Sequence, residues 1–455
     1  MSPPHAPASP MPDERQPSHI PRPRFFAAIA VVAAGAAAFA ILFRASVSLL
    51  FERVFHAADV LAAISALPSW ARIAVPAAGG LLAGLASTRA SRHAGGQGVG
   101  DVMEAVVVGG RPMSLAATSW KAVGAWCAIV SGGSIGREGP LIQFGGAFGA
   151  RIAEALRISE ARRRALIAAG TAAGFAAAYN TPFAAVLFVT EVITGIVAPS
   201  IILPVMIAVA IATTLTRLAV GAGPIYGARA FTMKTSAELG LHLAVGVLGA
   251  LVGVAFMRTL RASERTFQRM RPVHPALRTA FGGACVGALA CALPAVTGNG
   301  YEAIGGILAD RWPLWLVGAL LVGKVIATAS SVGSGAPGGV FTPSLFLGAA
   351  LGALVAGLAS RFVSIGAVGG YALVGMAAVV AATTHAPIMA SVLVFELSGD
   401  YEIVLPLLIA TAAATAISRK ISPASIYVEE LERKGLRWEI NLAGRTLRRD
   451  VEDDD

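Results

Sequence analysis

Gly136-Arg137-Glu138-Gly139-Pro140 and Gly335-Ala336-Pro337-Gly338-Gly339-Val340-Phe341-Thr342-Pro343 are two glycine-rich turns set inside long apolar runs. Hydrocarbon offers no partner to unpaired backbone N–H and C=O groups, so irregular backbone survives at membrane depth only when packed in protein or lining a polar cavity. A helix that starts inside the membrane points its free N–H groups, roughly half a positive charge, into that cavity. Broken helices of this kind mark the substrate site of many transporters, and a positive helix end selects an anion. The two turns therefore predict an anion transport protein.

Composition supports a polytopic membrane chain. Mean hydropathy is +0.70; of 455 residues, 56% are hydrophobic, 14% are charged and 51 are Gly. A soluble domain carries nearer a quarter charged residues. Apolar stretches such as 25–43, 201–220 and 239–257 are long enough to span roughly 30 Å of hydrocarbon, whereas 182–193 and 387–397 are too short. Full-length, short and broken helices together predict a tightly packed all-α bundle.

Residues 1–24 are rich in Pro, Ser and His and read as a disordered cytoplasmic arm. A secretory signal peptide fits poorly, because the following apolar run is long and the region before it extended. Arg22 and Arg24 favour an inside N-terminus, and the charged segment 419–455 also suits the cytoplasm. The net charge of +10 sits in neither tail: residues 1–24 hold three basic and two acidic side chains, 419–455 hold eight and nine, and the middle keeps 25 against 15. Positive-inside loops such as Arg162-Arg163-Arg164 explain part of it; anion-concentrating vestibules are the other source. Cys127, Cys285 and Cys291 lie in apolar segments without metal-ligand spacing and read as packing residues.

An internal repeat organises the chain. At an offset of 205, residues 170–191 match 375–396 at Gly170, Ala172, Ala173, Ala176, Ala177, Pro182, Ala185, Val189 and Glu191. Alanine matches are cheap here; Pro182/Pro387 and Glu191/Glu396 are not. The same offset sets 133–140 opposite 338–345. Two halves, roughly 25–220 and 236–435, with matching broken helices predict a pseudo-two-fold fold with a site at the junction.

Four segments resemble the CLC family of chloride channels and chloride/proton exchangers. Gly96-Gln97-Gly98-Val99-Gly100 is similar to the family's Gly-Ser-Gly-Ile-Pro; Gly136-Arg137-Glu138-Gly139-Pro140 matches its Gly-Arg-Glu-Gly-Pro; Gly339-Val340-Phe341-Thr342-Pro343 matches Gly-x-Phe-x-Pro; and Tyr427 falls where the family has its pore tyrosine. The resemblance covers about residues 25 to 435, ahead of a charged tail at 436–455. It implies a homodimer in the lipid bilayer, each subunit built of two inverted-topology halves with broken helices converging on a central anion site. Carried over residue by residue, the N–H groups of Val340 and Phe341, the Tyr427 hydroxyl and the side chain of Gln97 would bind the anion, and Glu138 would be the gate and proton acceptor. Chloride or a related anion and protons are the implied partners, in a bacterial inner membrane with both termini cytoplasmic. No cofactor, metal or nucleic acid is expected, and no enzymatic activity.

Physics supports Glu138 independently. A carboxylate in a transmembrane run is costly and a functional candidate by default. Burial penalises its charge while the helix terminus and Arg137 favour it, so its protonation can change during a transport cycle. The plainer alternative is a fixed helix-cap or Arg137 interaction. For Tyr427 the alternative is an ordinary interfacial tyrosine. Lys121, in an apolar run 16 positions before Arg137, is a candidate for an internal ion pair.

Two departures from the family pattern bear on function. Gln97 replaces the usual Ser; its amide still offers two N–H donors but is larger and differently directed, which leaves selectivity open. Exchangers carry two adjacent glutamates at the inner proton route, and here the pair reads Glu191-Val192. Valine cannot relay a proton, so Glu191 or a water chain would have to serve. Exchange and passive conduction thus both stand. A different class, an intramembrane aspartyl protease, is suggested by Gly98-Val99-Gly100-Asp101 with Asp400 as second acid, but such chemistry needs two facing aspartates and Asp400 reads as a helix-end residue. A scaffold or sensor without transport finds no binding module.

Overall fold

The computed structural model describes residues 22–93, 98–110, 112–227, 231, 233–270, 272–432, 436–441 and 444–449, the last two segments and Arg22 as backbone only. The first half contains α1 (Arg22–Leu50), α2 (Val60–Ala66), α3 (Ser69–Ala90), α4 (Val99–Val107), α5 (Leu115–Val130), α6 (Glu138–Ala155), α7 (Glu160–Tyr179), α8 (Pro182–Leu187, prolonged by a π-helical turn Phe188–Thr194) and α9 (Pro199–Val220). The second contains α10 (Glu238–Gln268), α11 (Pro275–Ala292), α12 (Tyr301–Leu308), α13 (Leu314–Gly333), α14 (Phe341–Ala359), α15 (Val368–Thr384), α16 (Pro387–Ser398) and α17 (Val404–Ile421), followed by α18 (Ile426–Glu432). Among the described residues, eight helical segments are long and apolar enough to cross a membrane. The charged tail is not featureless: Leu436–Asn441 pairs antiparallel with Gly444–Arg449 as a hairpin, β1 and β2.

The helix breaks recur in both halves for one local reason. Asn180 ends α7 and His385 ends α15 in left-handed conformation, φ 56° and 58°, and Pro182 and Pro387 follow two residues on. A left-handed C-cap closes a helix, and a proline cannot extend it but is well suited to open the next. Gly195 and Gly399, φ 70° and 68°, end the short helices that follow in the same way.

Close packing rests on small residues, as expected where lipid supplies no hydrophobic force between helices. A Cβ on Gly145 would overlap the Gly170 carbonyl of α7, and one on Gly149 the Leu166 carbonyl. In the second half a Cβ on Gly348 would overlap the Gly375 carbonyl of α15, and one on Gly352 the Tyr371 carbonyl. Across the halves, Gly80 of α3 abuts the Thr279 carbonyl of α11 and Gly283 of α11 the Pro76 carbonyl of α3. Gly145/Gly348, Gly149/Gly352 and Gly80/Gly283 share an offset of 203, two fewer than the 205 of Gly170/Gly375. The sequence register of 205 is therefore right for α7–α8 but wrong by two for the turns. The difference arises in the connection between α14 and α15, which is longer than that between α6 and α7.

The two-fold relation is explicit at the centre. Gly136 N–H donates to the Gly339 carbonyl at 2.7 Å and Gly339 N–H to the Gly136 carbonyl at 2.8 Å, an antiparallel bridge between equivalent residues. Equivalent residues that meet antiparallel lie about a two-fold axis, so the halves run inverted. Glu191 and Glu396 exchange in the same manner. The Glu191 carboxylate accepts from Ile388 and Met389 N–H at 3.3 and 2.7 Å, and the Glu396 carboxylate from Phe183 and Ala184 N–H at 3.0 and 2.8 Å. Each half thus caps the broken helix of the other with an acid, the charge a helix N-terminus favours.

Candidate functional site

The Gly136–Gly339 bridge brings the N-termini of α6 and α14 together, and Glu138 occupies the junction. It opens α6 and is 2% exposed. Its Oε1 accepts from the N–H groups of Phe341 and Thr342 at 3.0 and 3.2 Å, and its Oε2 from the Thr342 hydroxyl at 2.9 Å. Those are the first N–H groups of α14, which the helix itself cannot satisfy. A Cβ on Gly136 or Gly339 would overlap Glu138 Oε1, so a side chain at either position would displace the carboxylate from this seat. Tyr179 Oη lies 2.9 Å from Thr342 Oγ1; with the Thr342 proton given to an ionised Glu138, Tyr179 is the donor in that contact. A protonated Glu138 could instead donate to Thr342 Oγ1, so one hydroxyl serves both charge states.

Arg137 and Glu138 are adjacent in sequence but line different cavities. The first cavity, about 470 Å³, is bounded by Glu138, Val340, Tyr427, Gly98 and Lys121. The second, about 390 Å³, is bounded by Arg137, Arg44, Asn299, Tyr301 and Glu302. The turn between them is the partition. Arg137 lies 4.6 Å over the Tyr301 ring, a cation–π contact that directs its guanidinium into the second cavity.

Glu138, Val340 and Phe341 come together at the junction. Tyr427, 7% exposed on α18, lines the first cavity with its ring edge-on to Phe188 at 6.2 Å. Gln97 lies outside the described residues, although Gly98, next to it, lines the first cavity. Glu191 is engaged at the start of α16. Lys121 lines the first cavity. The two aspartates of the protease reading lie apart in role: Asp101 accepts from Gly98 N–H at 2.7 Å at the start of α4, and Asp400 from Phe231 and Glu402 N–H at 2.7 and 3.1 Å. Sequence reasoning did not single out Thr342, although it sits inside the quoted turn, nor Tyr179, Tyr301 and Arg44, which carry no local motif.

Two broken helices meeting about a two-fold axis, with a carboxylate at their junction, define a polytopic membrane transport fold. The family model for voltage gated chloride channels matches residues 79–419, and the chain belongs to that family. A putative chloride channel protein, ClcB-like, of Ralstonia nicotianae is 38% identical over 386 residues, 82% of this chain and 88% of that protein. The voltage-gated ClC-type chloride channel ClcB of Escherichia coli is 34% identical over 416 residues, covering 88% and 97%. Among solved structures, a slow cyanobacterial Cl⁻/H⁺ antiporter superimposes with a TM-score of 0.80 at 24% identity over 91% of this chain and 99% of that one. A CLC-type fluoride/proton antiporter gives 0.73 at 23% identity, covering 89% and 97%. The chain is thus a multi-pass transport protein of the CLC type and not an enzyme.

Proposed function

We propose that the chain moves chloride across the bacterial inner membrane along the two cavities, with Glu138 as gate and with protons moving in the opposite direction. The observation that carries this is the seating of the Glu138 carboxylate on the first N–H groups of α14, in the wall of the first cavity and next to Arg137 of the second. A carboxylate there occupies the position an anion would take, so passage requires it to leave. Protonation removes the charge that holds it and releases the site. Phe341 and Val340 N–H, the Tyr427 hydroxyl and Gln97 are the proposed anion contacts. A homodimer with both termini in the cytoplasm is the proposed assembly. Chloride as the anion draws support from the names of the two sequence relatives.

Proton coupling is proposed through Glu191 and water. In the described state the Glu191 carboxylate is committed to the start of α16, so a proton taken up there has to share those bonds. Coupling is accordingly weaker than with two acids. Val192, 2% exposed, favours the second reading, a passive anion channel. Chloride efflux from proteoliposomes containing the purified protein tests transport itself; efflux equal to that of empty liposomes contradicts it.

Gln97 sets the preference among anions in this reading. Gln97→Ser is expected to change the order of chloride, nitrate and fluoride in that efflux assay while leaving the fold intact. One lost or redirected hydrogen bond in a buried site is worth about 1–3 kcal/mol, enough for roughly a tenfold change in relative affinity. An unchanged order places Gln97 away from the anion.

A further inference from the structure

The first cavity holds a second carboxylate facing a helix start. Glu430 lies three residues beyond Tyr427 on α18, so the two share a face of that helix, and both line the cavity together with Glu138. Tyr427 is buried, whereas Glu430 is only partly so. The Glu430 side chain turns to the start of α4, where Gly100 N–H donates to its Oε2 at 3.4 Å. A Cβ on Gly98 would overlap Oε1, and one on Gly100 would stand 3.2 Å from the carboxyl carbon. Glycine at both positions lets the carboxylate lie directly against backbone. The turn that opens α4 is the one that carries Gln97, a proposed anion contact. The start of α4 thus holds Glu430 as the start of α14 holds Glu138, and both face one cavity.

Carboxylates at other helix starts in this fold act as caps, and Glu430 differs from them in two respects. Glu191 and Glu396 hold α16 and α8 with bonds as short as 2.7 and 2.8 Å, and neither lines the first or the second cavity. The Glu430 bond is at the long limit, where an N–H···O contact is weak, and the side chain stands in the cavity wall. Its neighbour Glu429 is directed elsewhere, in an ion pair with Arg261 of α10 at 3.1 Å. The adjacent acids of α18 therefore divide, one towards α10 and one towards α4. A long bond to a partly exposed side chain is one that opens readily.

We propose that Glu430 is a second gate: its carboxylate competes with the transported anion for the start of α4 and swings away when the anion binds. The inference rests on the anion-transport reading and deepens it. A helix start favours negative charge whichever group supplies it, so carboxylate and anion exclude each other there. Passage through the first cavity then displaces Glu430 from α4 and Glu138 from α14. The two gates differ in strength. Glu138, with three hydrogen bonds, closes the path; Glu430, with its long bond, sets how readily the anion enters.

The test is chloride binding to the purified full-length protein, read by titration calorimetry in a chloride-free buffer, with thermal unfolding recorded alongside. A competitor that holds its seat about nine-tenths of the time weakens binding about tenfold. Glu430→Ala, which vacates the seat, is expected to lower the chloride dissociation constant on that scale, and Glu430→Gln, which keeps the length and removes the charge, to lower it several-fold. Glu429→Gln removes the same charge from the same wall but away from α4, and is expected to change the constant much less. An equal effect at both positions overturns the proposal, because it would mean a field at the cavity and not a seat. A lowered unfolding temperature with an unchanged constant in the Glu430 variants also overturns it, because Glu430 would then only cap α4. Should Glu430→Ala fail to fold, Glu430→Gln decides by the same criterion. No chloride binding by the wild type or any variant overturns the transport reading itself, whereas wild-type binding left unaltered in the Glu430 variants overturns this gate alone.

Discussion

Glu138→Ala is expected to raise chloride efflux at neutral pH and to abolish its dependence on pH. In the wild type the carboxylate is held by two N–H groups of α14 and the Thr342 hydroxyl. Hydrogen bonds to a charged group contribute about 1.5–3 kcal/mol each, so losing even one of them changes site occupancy roughly tenfold. Acid protonates Glu138, weakens all three and opens the pathway; wild-type efflux therefore rises as pH falls. Alanine leaves the site open at every pH. Glu138→Gln mimics the protonated side chain and is expected to behave as the wild type does in acid. Efflux from liposomes between acid and neutral pH distinguishes these cases. A Glu138→Ala protein that keeps the wild-type pH profile removes Glu138 from the gate.

Gly348→Val is expected to prevent assembly of the folded protein. Gly348 of α14 lies directly on the Gly375 carbonyl of α15, and backbone cannot yield as a side-chain tip does. The helices would have to separate along a face where Phe346, Leu347 and Ala349 are fully buried. Overpacking a tight core costs about 1–3 kcal/mol and more where backbone must move; α14 also carries Phe341 and Thr342, so the site would move with it. Gly318→Ala in α13 is the matched control, because there the nearest atom to a new Cβ is a Leu354 methyl at 3.8 Å. Elution profile and thermal unfolding in detergent are the readouts. A monodisperse Gly348→Val protein as stable as the control contradicts the packing described here.

The turns at 136–140 and 335–343 were legible in sequence because glycine and proline interrupt apolar runs, a pattern with few physical explanations inside a membrane. Their consequence, Glu138 on the start of α14, needed only the fold to bring them together. What was not legible depends on contacts between distant residues. Glu191 reads as an acid in a proton route, and nothing local reveals that it caps α16 while Glu396 caps α8. Tyr301 looks like any residue after a glycine turn until Arg137 is found above its ring. The hairpin at Leu436–Asn441 and Gly444–Arg449 was masked by its charge, which reads as solvated tail.

Whether protons move with the anion bears most directly on the proposed mechanism. A chloride gradient is imposed on sealed proteoliposomes, the voltage is clamped with an ionophore, and chloride efflux and external pH are recorded together. The wild type is expected to move protons uphill, driven by chloride. Val192→Glu, which restores the second acid beside Glu191, is expected to tighten the coupling, and Glu138→Ala to abolish proton movement while chloride still flows. Wild-type chloride flux with no chloride-driven proton movement contradicts the exchange mechanism and makes the protein a passive anion channel.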